Sequence, residues 1–239
     1  MRGLVYVGID DTDITGSPGT NQLARALLKR PAVQARRAVV LRHQLLFDPR
    51  VPYTSKNGSA SLILADPAAE STDVLVAELC AGMREWFVAG SDPGLCVTLR
   101  VPAEITAFGR SCQHDVVQQS TARALAARHG IHLEGLGGTE QGVIGALAAV
   151  GLAAGGQDGR VVHLQDWTWP DPFAGVRSIA QLEARGVDGI ERLDGGAVIT
   201  TGLVDVGKHL RPAWRGGRVV LLVEPAPPGG GAIWRAIKV

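Results

Sequence analysis

Asp10, Asp11 and Asp13 place three carboxylates within four residues, directly after the apolar run Leu4-Val5-Tyr6-Val7-Gly8-Ile9. Like charges at that spacing repel, so the cluster is tolerable as a solvated turn, with Thr12 or Asp13 in local Asx-type hydrogen bonds, or around a cation. Hard oxygen ligands of this kind suit magnesium, which shares phosphate oxygens with its carboxylates. Both readings fit the residues taken alone. Ser17-Pro18-Gly19-Thr20 then leads into an expected helix whose first amides attract anions. Thr20 is suited either to cap that helix or to offer its hydroxyl to a phosphate, a metal or a transferred phosphoryl group.

A second glycine-rich run, Gly135-Leu136-Gly137-Gly138-Thr139-Glu140-Gln141-Gly142, precedes an apolar stretch from Val143 to Ala154. It reads as another amide cradle for phosphate, or as a tight turn with close helix packing through Gly142 and Gly145. It fits no standard fingerprint: a dinucleotide loop needs glycine where Glu140 stands, and a Walker A loop needs lysine where Val143 stands. Gly202 to His209 matches the spacing of a Walker A loop by coincidence, because His209 replaces the metal-binding hydroxyl and Pro212 forbids the following helix. The loop from Asp48 to Ser59 is rich in cations and hydroxyls. Together with Arg42 and His43 before it, this loop is a candidate contact for phosphates or a polar substrate, or else an ordinary surface connection. Cys112-x-His114 is too small a set for zinc, and neither Cys80 nor Cys96 has a helpful sequence neighbour. Trp167 and Trp169 flank a proline-containing turn and suit packing better than base stacking.

These residues need elements to hold them. Apolar patterning predicts strands at 4–9, 38–47, 59–65, 95–101 and 131–134, and helices from Thr20 to before Pro31, at 72–88, at 115–128 and at 143–154. Beyond about residue 160 the sequence turns to short strands at 161–164, 197–201, 218–223 and 232–239, with one helix near 177–185. This is a mixed α/β pattern, with two lobes expected.

Composition narrows the class further. Of 239 residues, 46% are hydrophobic and 20% charged, enough for a substantial core and too apolar for disorder. The 24 basic and 23 acidic residues are well mixed, which gives no electrostatic case for a polyanionic partner. No apolar run approaches the roughly 20 residues of a membrane span, and the three cysteines form no disulfide framework, so a cytoplasmic protein without membrane attachment is expected.

The order of motifs resembles the tRNA 2-agmatinylcytidine synthetase family, which modifies an isoleucine tRNA. The resemblance rests on Gly8-Ile9-Asp10-Asp11-Thr12-Asp13, Thr20, the 49–58 loop, Asp92-Pro93-Gly94 and Gly142-Val143-Ile144-Gly145-Ala146-Leu147-Ala148-Ala149-Val150-Gly151. It implies an ATP-binding kinase-like lobe at 1–155 and a ferredoxin-like substrate lobe at 156–239, with 60–122 a candidate part of the second. It implies a reaction in which ATP and magnesium phosphorylate a substrate oxygen before an amine, agmatine in the family, displaces the phosphate. Asp10, Asp11 and Asp13 would then hold the metal and serve catalysis with Thr20, the counterpart of a threonine that itself accepts phosphate. Thr12, Gly19, Gly137, Gly138, Thr139, Gly142 and Gly145 would hold ATP, and Arg42, Arg50, Tyr53, Ser55, Lys56 and Asn57 the substrate. The family loop Asn-Pro-x-Ile-Pro-x-Lys-Thr-Arg-Gly-Asn-Gly is altered here to Asp48-Pro49-Arg50-Val51-Pro52-Tyr53-Thr54-Ser55-Lys56-Asn57-Gly58-Ser59. The family's OB-fold and zinc ribbon have no counterpart in these residues, so nucleotide chemistry is expected to survive better than the tRNA substrate. The phosphate acceptor, small molecule or RNA, stays open. So do two other functions: a non-catalytic nucleotide or small-molecule binding module, and an RNA-modification subunit that needs a partner for its grip on RNA.

Overall fold

The computed structural model describes residues 3–54, 56–164, 167–168 and 171–238, so the expectations for Ser55 and Trp169 lie outside the described residues. The fold is mixed α/β. In chain order its elements are β1 (Leu4–Asp10), α1 (Thr20–Leu27), β2 (Ala35–Arg42), β3 (Ala60–Pro67), α2 (Thr72–Glu85), β4 (Gly94–Thr98), α3 (Ala103–His114), α4 (Gln119–Arg128), β5 (His132–Gly135) and α5 (Gly142–Gly155). There follow β6 (Arg160–Leu164), β7 (Val176–Ser178), α6 (Ile179–Ala184), β8 (Gly189–Arg192), β9 (Leu203–Asp205), β10 (Ala213–Arg215), β11 (Arg218–Pro225) and β12 (Trp234–Ala236).

The strands form one twelve-stranded sheet in the order β5-β4-β1-β3-β2-β6-β10-β11-β12-β9-β7, with β8 alongside β11. Pairing is antiparallel except for β8 with β11 and β9 with β12. The sheet crosses from the first part of the chain to the second where β2 meets β6.

Alternation along β1 decides which side chains meet which helices. Val5, Val7 and Ile9 join the core under α1 and α2, with Leu23, Leu27, Leu75, Leu79 and Met83. The opposite face, carrying Tyr6, Gly8 and Asp10, is covered by α5, whose Ala146, Leu147 and Val150 share a second core with Ile105 and Phe108 of α3. Helix α5 is apolar all round and buried through most of its length, as a helix packed between a sheet and another helix must be. Its backbone can lie close only because its neighbours are small. A Cβ on Gly8 would drive into the Ala146 carbonyl, one on Gly94 into Gly142, and one on Gly151 into the Ile105 carbonyl. A third core in the later strands gathers Val161, Leu182, Ile190, Trp214, Val219 and Leu221 around Val39, Leu41 and Ile63.

Several sequence expectations change. The strand predicted at 38–47 stops at Arg42, and 197–201 contributes only a single bridge from Val198 to Glu191. The helix predicted at 115–128 is α4, four residues shorter at its start, and α3 precedes it unpredicted. A signal for α3 is nonetheless present: Ile105, Phe108, Gly109 and Cys112 form a buried stripe at helical spacing directly after Pro102. Strands β7 to β10 have no counterpart in the patterning, being three or four residues long, too short to show a period.

Candidate active site

The acidic turn leaves β1 with Asp11 in the left-handed region, φ 51°, a conformation that Asp and Asn tolerate better than most residues. This turn sends the carboxylates in different directions. Asp10 continues the β1 alternation and lies against α5, where a Cβ on Gly145 would overlap its carboxylate. Asp13 reaches forward to α1, and its Oδ1 accepts from the Thr20 amide at 3.2 Å and the Thr20 hydroxyl at 3.0 Å. The Thr12 hydroxyl donates to Thr20 Oγ1 at 3.0 Å, closing a chain of three side chains of which the two threonines are buried. Thr20 is therefore not the cap. Gly19 holds that position without a side-chain bond, and Asp13 satisfies the first amide of α1 from outside the helix.

A fourth carboxylate, Asp92, completes the group. Its amide donates to the Asp11 carbonyl at 3.1 Å, and its side chain is gripped by the Thr139 amide at 2.6 Å and the Thr139 hydroxyl at 2.5 Å. Crowding and burial shift the equilibria. Burial first, then the charges of Asp11 and Asp13, push Asp10 up to about 7. Burial, then Asp92 and Asp13, raise Asp11 to about 6. Burial and mutual repulsion thus favour the uncharged form of both carboxyls relative to a free carboxylate.

Asp10, Asp11 and Asp13 open on a cavity of about 520 Å³. Of the predicted site residues, Asp10, Asp11, Asp13, Gly19, Thr20, Arg42, Tyr53, Lys56, Asn57, Gly142 and Gly145 line it. Asn21, Cys112, Asp115 and Gln141 do too, none of which the sequence pattern singles out for the site. The Asn21 Oδ1 is a buried acceptor with no hydrogen-bond partner. Asn57 folds back on the segment that follows β2, its side chain donating to the Leu46 carbonyl at 2.7 Å.

Other residues fall elsewhere. Thr12 is buried behind Thr20. Arg50 turns outward onto Asp48, making bonds of 2.8 Å through both Nε and Nη2, and so leaves the wall. Gly137, Gly138 and Thr139 do not line the cavity: Gly137 packs on Phe87, and Gly138, at φ 58°, presses on the Asp92 carboxylate. Nor does the start of α5 offer free amides, since those of Gly142, Val143 and Ile144 donate to the carbonyls of Asp92, Glu140 and Gln141. The glycine run therefore grips Asp92 and admits Asp10, where an amide cradle was expected. His43 is also withdrawn from any ligand, buried between Asp158 and Ser61 at 2.6 and 2.9 Å.

No protein-family model and no curated protein matches the chain. Solved structures do. The tRNA fluorescent labeling enzyme aligns at 26% identity with a TM-score of 0.54, covering 62% of this chain and 36% of that one. TiaS, solved in complex with an isoleucine tRNA and ATP, aligns at 25% identity and TM-score 0.55 over 63% of this chain and 36% of its own. Apo TiaS, an agmatidine synthetase for that tRNA, gives 25% identity and 0.51 over 62% and 35%. The chain is thus similar, over about a third of their length, to enzymes that act on tRNA, one of them solved with ATP. No helix among the described residues is long and apolar enough to cross a membrane.

Proposed function

We propose that the chain is an ATP- and magnesium-dependent phosphotransferase or ligase that phosphorylates a substrate oxygen, which an amine then displaces as phosphate. The observation that carries this reading is the meeting of Asp10, Asp11, Asp13 and Thr20 with the glycines of α5 and the cations Arg42 and Lys56 on one cavity wall. Catalysis of phosphoryl transfer rests on positioning and charge neutralisation, and such a wall supplies both.

Asp10 and Asp11 would offer hard oxygen donors to a dication, with Asp92 behind them, whereas Asp13 is turned onto Thr20, so the three carboxylates expected as one ligand set do not converge on a point. Magnesium there would neutralise triphosphate charge and align its oxygens. Asp13 orients Thr20 and is set to take its hydroxyl proton. If Thr20 carries the phosphoryl group, its Oγ1–P bond forms as the γ-phosphate bond to ADP breaks and the proton passes to Asp13. Arg42 and Lys56 offer positive charge to the transferred group.

On this reading residues 1–155 carry the nucleotide and 156–239 the substrate, and the similarity to TiaS supports an RNA acceptor and an amine as partners. Asp11→Asn tests it. Asparagine accepts the left-handed backbone at this position, so the fold is retained while a metal ligand is lost. ATP turnover in the presence of magnesium and candidate RNA and amine substrates is expected to fall at least about 100-fold. Unchanged turnover rejects the mechanism, and tight ATP binding without any turnover in the parent chain identifies a non-catalytic binding module instead.

A further inference from the structure

The edge strand β5 carries donor atoms on the face turned away from the acidic cavity. It pairs with β4 so that His132 stands opposite Val97, Leu133 opposite Cys96 and Glu134 opposite Leu95. Leu95 and Val97 belong to the core under α2, whereas Cys96 belongs to the core under α5. His132 and Glu134 therefore share the α2 side, where Cys80 descends from the helix.

The three donors converge. Cys80 Sγ lies 3.4 Å from Glu134 Oε2, His132 Nε2 lies 3.3 Å from the same oxygen, and all three atoms fall within 4.8 Å of one another. Ligand atoms placed tetrahedrally at ordinary zinc distances are roughly 3.3–3.8 Å apart. Two details favour a ligand over a simple side-chain cluster. His132 Nε2 is a buried atom that makes no hydrogen bond, its one polar neighbour among the described contacts being Glu134 Oε2 at 3.3 Å. The second Glu134 oxygen, Oε1, accepts from Arg84 at 3.1 Å, which turns Oε2 toward the other two donors as outer-shell partners of metal ligands do.

We propose that Cys80, His132 and Glu134 form a site for a divalent ion of zinc type, with a fourth position open to water. A sulfur, nitrogen and oxygen set selects zinc over magnesium, so this site differs in kind from the all-oxygen acidic cavity. Binding forms a metal–thiolate bond at Cys80 and releases the thiol proton to solvent. The ion ties the outermost strand to α2, and β5 runs straight into the loop that grips Asp92. The competing arrangement is a metal-free cluster in which His132, protonated, pairs with Glu134.

The test uses the full chain, stripped with a chelator and titrated with zinc against a chromophoric competitor, then with cobalt. About one equivalent of zinc is expected at micromolar affinity or tighter, with a thiolate-to-cobalt charge-transfer absorption. Cys80→Ala is expected to abolish that absorption and weaken zinc binding at least tenfold. Should buried Cys80→Ala fail to fold, His132→Ala on the edge strand gives the same tenfold loss in a milder variant. Asp11→Asn retains the ion. Absence of binding in the parent chain overturns the proposal, and so does zinc binding that His132→Ala leaves unchanged. Zinc binding in a parent chain that turns over no ATP, or in an Asp11→Asn variant whose turnover is unchanged, strikes only the phosphotransferase reading.

Discussion

Glycine does opposite work in two regions of this molecule. Around α5, an added Cβ at Gly8, Gly94, Gly142 or Gly145 would enter backbone or the Asp10 carboxylate. In the later turns, at Gly195, Gly216, Gly217, Gly229 and Gly230, it would meet nothing within 4 Å. The first group lets a helix lie directly on two strands, which is how a carboxylate at the end of β1 comes to rest on the first turn of α5. The second group only reverses the chain. Abundance of glycine therefore marks no site. What matters is the atom that the missing side chain makes room for.

The comparison breaks hardest at Gly145→Ala. The Asp10 carboxylate must leave its place while the backbone can stay, so magnesium-dependent ATP turnover is expected to fall about 100-fold in steady-state kinetics, with the chain still folded by circular dichroism. Near-normal turnover would show that the glycine serves packing alone.

A second expectation sharpens the electrostatics. Folded Asp10 and Asp11 keep their protons up to about 7 and about 6, whereas unfolded carboxyls release theirs near 4. Between those limits the folded chain binds more protons, so this pair lowers stability as pH rises through the window. His163 runs the other way, its proton affinity pushed down to about 4 by burial and Arg25, so the diagnostic is a difference between proteins. Relative to the parent without divalent ions, Asp10→Asn is expected to gain roughly 4–8 °C in Tm on going from pH 5 to 7.5, the equivalent of about 2 kcal/mol in a chain of this size. Magnesium should shrink that gain. A gain unaffected by magnesium would detach the carboxylates from metal binding.

The smallest effect belongs to the other glycine region. Gly230→Ala meets no neighbour and has no left-handed backbone, so its stability should stay within about 0.5 kcal/mol of the parent by denaturant unfolding.

Much of the site is legible from residue type and order. The acid cluster after β1, Thr20 at the start of a helix and the strand, loop and helix around residues 131–154 all stand where the pattern predicts. Arg50 departs from its expected place because its neighbour Asp48, two positions away, takes the guanidinium locally. Asp92 enters only through the resemblance, since a single Asp beside Pro93 has no local signature. Its role comes from a grip supplied by Thr139, distant in sequence. Cys80 gives no sequence signal for the same reason, its companions His132 and Glu134 lying on a strand formed much later in the chain.

From the chain of letters alone come the mixed α/β class, the main strands and helices and the identity of the first three carboxylates, because apolar period and charge repulsion act over a few neighbouring residues. Only the folded molecule decides that the glycine run grips a fourth carboxylate, that the first amides of α5 are already bonded to carbonyls, and that Asp13 restrains Thr20. Those outcomes depend on which groups the sheet register and helix packing bring within about 3 Å, a distance at which hydrogen bonds form and which no local pattern encodes.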